Sequence, residues 1–237
     1  MLTNIGAAAK ESTKVPDDSK PTLSRVSVAA AAGLLLTAPF HAVAYLRDQG
    51  YDEQGAIHWA KSAFEVMPGV WDWSETHSVY LWFGRVTSVL LVLMLIPGAL
   101  ELHRRQRADE RRFERWSFRA FLVGAILLSA GAILEYFTPF TDEIFLVLAI
   151  PGLILTLVTG TVWGVVTARA KSIPMWLGVL LALSFLPGMP LLVALLGHIP
   201  IGMSLNAAAW ILIGTRLLRT RAEAQSGAAP AAAGTQP

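Results

Sequence analysis

The sequence contains no cysteine. That excludes disulfides, thiolate metal sites and cysteine nucleophiles, although it identifies no compartment. Charge is also scarce. Asp, Glu, Lys and Arg make up 15% of the 237 residues, against about 25% in an ordinary soluble domain. The shortfall is uneven, because the charges crowd into a few segments and leave long apolar runs between them. No nucleotide-binding glycine loop, serine elbow or carboxylate pair at defined spacing occurs. The net charge of +2 does not indicate nucleic acid as a partner. The bases sit beside the apolar runs, where Lys and Arg are expected for topological reasons.

What the chain has in abundance is hydrophobic length, with 54% of its residues apolar. A run of about 20 such residues crosses the hydrocarbon core of a bilayer. Six runs qualify: Val26–Leu46, Ser78–Leu100, Phe118–Phe137, Ile144–Thr167, Pro174–Gly197 and Ile199–Leu218. They lack β-barrel alternation, and lipid offers backbone groups no partners, so each is expected to be α-helical. The fold class is therefore an all-α, six-helix membrane bundle occupying residues 26–218. Local signals mark the ends. Thr138-Pro139 closes the third run, Asp142 can cap the fourth, Lys171-Ser172-Ile173-Pro174 turns the chain into the fifth, and Pro200 suits a first helical turn.

Lys and Arg set the orientation. Four lie in the N-terminal tail (Lys10, Lys14, Lys20, Arg25) and seven in the second connection (Arg104, Arg105, Arg107, Arg111, Arg112, Arg115, Arg119). Arg169 and Lys171 lie in the fourth connection, and Arg216, Arg219 and Arg221 at the C-terminal end. Six spans put these sixteen of the 19 bases on one side. The positive-inside rule then predicts both termini in the cytoplasm and a bacterial-type inner membrane as the location. Tyr45, Tyr51, Tyr80, Tyr136 and Trp82 fall toward the outer boundary, and Trp116, Trp163 and Trp176 toward the inner one, as interfacial rings do. An alternative reading makes the first run a signal peptide cleaved after Ala42-Val43-Ala44, which leaves five spans.

Residues 1–25 and 219–237 read as cytoplasmic tails, disordered where Ala, Ser, Gly, Pro and charge dominate. The Arg-rich connection, residues 101–117, reads as a helical extension that anchors topology and touches anionic lipid headgroups. The outer loop, residues 47–77, carries six acids against two bases. Ile57, Ala60 and Phe64 suggest a short amphipathic helix there, ended by Met67-Pro68-Gly69 and followed by Trp71 and Trp73. The loop is expected to cap the bundle.

Ionisable side chains inside spans are costly and mark functional candidates. They gather toward the outer side: His41, Arg85 and Glu135, with His77 and His198 at helix ends and Asn206 in the sixth span. One expectation is an interhelical Arg85–Glu135 pair with Asn206 bonding between helices. The other is a binding pocket lined by these residues. Four of the five histidines (His41, His58, His77, His198) lie on that side, but none has the close spacing of a metal motif, so no haem, metal or other cofactor is expected. Pro187-Gly188-Met189-Pro190 should kink or unwind the fifth helix. Gly160 and Gly164 permit close helix approach. The expected function is that of a non-catalytic accessory, scaffolding or regulatory membrane component, the alternative being small-solute binding or transport through an outer-facing pocket.

Overall fold

The computed structural model describes residues 23–48, 76–106, 112–138, 141–196 and 199–228. Six helices in it are long and apolar enough to cross a membrane, and no strand occurs among the described residues. The protein is a multi-pass membrane protein. Helix α1 is Leu23–Asp48, α2 is Thr76–Gln106 and α3 is Arg112–Phe137. Helix α4 joins Thr141–Ile144, a π-helical turn Phe145–Ala149, and Ile150–Arg169. Helix α5 joins Met175–Leu183 and Met189–Leu196 through an interrupted segment, Ser184–Gly188. Helix α6 joins Ile199–Gly202 and Ser204–Ala228.

The helices outrun the apolar runs at their basic ends. α2 continues through His103, Arg104 and Arg105, and α6 continues to Ala228. In α2 the cations of the last turn complement the exposed carbonyls there. α3 stops where Thr138 turns back, its N–H and its hydroxyl both donating to the carbonyl of Leu134, at 3.0 and 2.8 Å. The amphipathic segment expected around Ile57–Phe64, the Pro-Gly stop after it, Trp71, Trp73, His58 and His198 lie outside the described residues. So do the ends of both tails and the middle of the Arg-rich connection.

Each helix packs on the next in sequence, and α6 returns to α1, so the bundle is a closed ring. Lipid gives helices no hydrophobic reason to associate, so close backbone approach at small residues carries the packing. An added Cβ at Gly124 would sit 2.8 Å from the backbone nitrogen of Thr156, and one at Gly131 would sit 2.5 Å from that of Ala149. At Gly164 it would sit 2.5 Å from the nitrogen of Ala182, and at Gly160 it would strike the ring of Phe185. The Gly160/Gly164 pair thus does what its spacing suggested.

The ring is filled at mid-height and toward its basic end. Phe121 stacks on Trp163 at 4.9 Å, Phe185 meets Phe121 edge-on at 5.4 Å, and Trp210 lies 6.2 Å from Trp163. This corrects the interfacial assignment of Trp163, which is 0% exposed and a centre of the core. Trp116, Trp176 and Trp82 do reach the lipid-facing surface. So do Leu36, Val147 and Met175, a degree of apolar exposure that suits hydrocarbon and not water.

The fifth helix breaks where its prolines predict. Leu186 is extended, at φ −122 and ψ 127, ahead of Pro187, and the peptide between them is cis. The N–H of Leu186 donates to Thr161 Oγ1 of α4 at 3.1 Å. Irregular backbone at membrane depth survives when a neighbouring helix satisfies it, and Thr161 does this.

Candidate functional site

The opposite half of the ring holds a cavity among the described residues. It has a volume of about 390 Å³ and takes lining residues from all six helices. Leu34, Leu91, Leu128, Leu153 and Met203 give it an apolar interior. Thr87 and Ser88 supply hydroxyls partway along α2, and Tyr45, Asp48, His77, Tyr80, Glu135 and Tyr136 form the polar end. The α1–α2 connection, residues 49–75, leaves and re-enters the described structure at this polar end.

Helical register explains the set. Tyr80, Thr87 and Leu91 follow at intervals of seven and four, which keeps them on one face of α2. Glu135 and Tyr136 close α3, and Tyr45 and Asp48 close α1, so four groups from two helix ends reach one rim. The aromatic groups pack on one another. Tyr80 lies 5.7 Å from both Tyr45 and Tyr136, and its hydroxyl is 3.3 Å from that of Tyr136. Gly84 makes room for this, because a Cβ there would overlap the Tyr136 ring.

Five of the six candidates singled out from the sequence are among the described residues, and they divide into three groups. His77 and Glu135 line the cavity, and His77 Nδ1 lies 3.2 Å from Asp48 Oδ2 at the rim. His41 stands behind the wall, fully buried. Its Nδ1 is 2.9 Å from Thr87 Oγ1, and its ring lies 5.4 Å from both Tyr80 and Tyr136. Arg85 and Asn206 look elsewhere. Arg85 is on the exposed face of α2, where its Nε donates to the carbonyl of Tyr136 at 3.0 Å and its guanidinium lies 5.6 Å from the Phe137 ring centre. Its contacts with α3 are therefore made at the helix C-terminus, to a carbonyl without an intrahelical partner and to the Phe137 ring, and not to the Glu135 carboxylate that was expected to pair with it. Asn206 is 0% exposed and donates through Nδ2 to Ser184 Oγ of α5 at 2.9 Å, an interhelical bond of the kind expected.

Sequence reading missed Asp48, Tyr45, Tyr80 and Tyr136 as site residues. It assigned the tyrosines to the headgroup layer, whereas Tyr136 is buried and Tyr45 and Tyr80 are half-buried against one another. Their recurrence at the ends of three successive helices was the available signal.

Chemically, the cavity joins an apolar body to a head region of two carboxylates and three aromatic rings. Carboxylates and ring faces both attract cations. Arg85 is exposed and is not among the residues that line it. No family model matches the chain, and neither a curated protein nor a solved structure matches it.

Proposed function

We propose that this protein is a non-catalytic membrane component that binds a small amphipathic solute with a cationic head. The apolar part of the solute occupies the space between Leu34, Leu91, Leu128 and Met203. Its head lies among Asp48, Glu135 and the three tyrosines. The observation that carries this reading is the cavity itself, lined by all six helices and polar at one end. Its volume is in the usual range for small-molecule sites, about 300–1,000 Å³. The aromatic core of Phe121, Trp163, Phe185 and Trp210 fills the ring beyond it, which favours binding over conduction through the bundle.

We place the protein in a bacterial-type inner membrane with both termini and the basic end in the cytoplasm. The distribution of Lys and Arg supports this orientation. The cavity then faces outward, beneath the acidic outer loop. That loop's six acids would raise the local concentration of a cationic solute.

The test is equilibrium binding to the purified full chain in lipid nanodiscs, using decyltrimethylammonium and decyl sulfate below their micellar concentrations. The cation should bind and the anion of equal chain length should not. Leu91→Trp, which fills the cavity, should abolish binding, and Asp48→Asn with Glu135→Gln should weaken it. Equal uptake of the two probes, or full binding by Leu91→Trp, would sink the proposal.

A further inference from the structure

The basic end of the bundle holds a second concavity, of about 520 Å³, distinct from the cavity described above. It is formed by the last turns of α2 and α4, the turn that leads into α5, and residues 216–220 within α6. Its charged lining is Arg105, Arg169, Lys171 and Arg216, and no Asp or Glu is among its described lining residues.

The four cations are not equivalent. Arg105 is a strut: its Nη2 donates to the carbonyl of Leu217 at 3.1 Å, its Nη1 reaches Thr220 Oγ1 at 3.4 Å, and Glu101 lies 3.6 Å from its Nε. It ties α2 to α6. Arg169, Lys171 and Arg216 are exposed and have no acidic partner among the described residues. A single cation at a helix C-terminus is explained by the carbonyls there. The convergence of Arg169 with Lys171 of the following turn and Arg216 from within α6 on one hollow is not.

Lys171 adds a second, independent observation. Its φ is +55, the left-handed conformation that a helix terminus ordinarily gives to glycine. A long cationic side chain is held there against backbone preference, and such outliers gather at ligand sites. The turn that carries it is anchored: Gln106 Nε2 donates to Thr167 Oγ1 at 2.9 Å and to Ser172 Oγ at 3.3 Å. Ser172 itself lines the concavity, with Ile173, Pro174 and Leu217 as its apolar part. Met175 and Trp176, immediately after, are exposed to lipid at the helix end. The hollow therefore opens at the level of lipid headgroups.

We propose that this concavity binds a phosphate group, held by Arg169, Lys171 and Arg216 and oriented by Ser172. Basic pockets between spans take up anionic headgroups in this way. The phosphate can come from an anionic phospholipid, which the apolar part suits, or from solution.

The test uses the purified, delipidated full chain and three probes: dioleoylphosphatidylglycerol, dioleoylphosphatidylcholine and inorganic phosphate. Three variants are compared with the natural chain: Arg169→Gln/Lys171→Gly/Arg216→Gln, Lys171→Gly alone, and Lys10→Gln/Lys14→Gln/Lys20→Gln. The last loses the same net charge far away in sequence. Phosphatidylglycerol should bind at least about tenfold more tightly than phosphatidylcholine, and the pocket triple variant should lose about tenfold or more. Lys171→Gly should weaken binding about fivefold while melting no lower than the natural chain, because glycine relieves the left-handed backbone. The tail variant should keep full affinity. Binding of inorganic phosphate alone, lost in the pocket variant, would support the site and identify a soluble source. Binding of neither anionic probe, affinity untouched in the pocket variant, or equal loss in the tail variant would overturn it.

Discussion

The hydroxyl of Thr161 on α4 accepts the N–H of Leu186 on α5 at 3.1 Å, so a side chain of one helix completes the backbone of the next. Pro187 has no N–H and cannot continue the helical ladder, and Leu186 is extended before it. Without the hydroxyl, a donor would be stranded in a medium without water.

Thr161→Val keeps the shape and removes the acceptor. It should destabilise the protein by about 1–3 kcal/mol, the cost of an unmet buried donor. Thr161→Ser should recover most of that loss. Thermal unfolding in detergent, followed by circular dichroism, measures both. Equal melting of the valine and serine variants would show that the hydroxyl does not hold the break.

Ser184 and Asn206 form a bond whose two ends differ in importance. Ser184 Oγ donates to the carbonyl of Leu181 at 2.7 Å and accepts from Asn206, while Asn206 Oδ1 is buried without a hydrogen-bond partner among the described residues. Ser184→Ala should therefore strand the amide and cost about 1–3 kcal/mol. Asn206→Leu removes the unmet carbonyl together with the donor and should be nearly neutral, within about 1 kcal/mol. The same melting assay ranks the two variants, and the reverse order would refute the account.

Arg85 closes the C-terminus of α3 from the neighbouring helix. Arg85→Gln should lower stability by about 1.5–3 kcal/mol, the range for hydrogen bonds to charged groups. Arg85→Lys should recover only part, because an ammonium lacks the planar fork that spans the Tyr136 carbonyl and the Phe137 ring. Neither change should alter solute selectivity, since Arg85 does not line the cavity. A change in the decyltrimethylammonium preference would place the guanidinium in the site after all.

Gly84→Ala forces its methyl into the Tyr136 ring. The ring must leave the cluster with Tyr80 and His41, so cation binding should fall severalfold. Melting should drop by about 1–3 kcal/mol, as overpacking does. Calorimetric binding to the purified variant measures the first effect. Unchanged affinity with a lowered melting temperature would remove the tyrosine cluster from the head region.

The natural absence of cysteine makes orientation directly testable. A single cysteine at Glu110→Cys should react with a membrane-impermeant maleimide only after the cell is opened. One at Glu53→Cys should react in intact cells. The opposite pattern would invert the molecule and place the cavity in the cytoplasm.

Much of the fold was legible in the chain because the property that fixes it is local. About 20 apolar residues must be helical in hydrocarbon, and six such runs do not depend on what surrounds them. The break at Pro187 and the close approach at Gly160 and Gly164 are equally local, since each follows from what one residue lacks. Trp163 shows the limit. Its position near a helix end suggested the headgroup layer, but its direction around the helix axis sends it to the core.

Hydropathy and charge are summed along the chain, so residue order alone set the solvent of this protein, the number of its spans and the gathering of its bases beside them. That α6 closes a ring on α1, that His41 backs the tyrosines, that Arg85 turns outward and that a cavity opens in one half of the ring emerged only when the helices packed. Those outcomes depend on the rotation of each helix about its own axis, and that rotation is set by which small residues let which backbones meet.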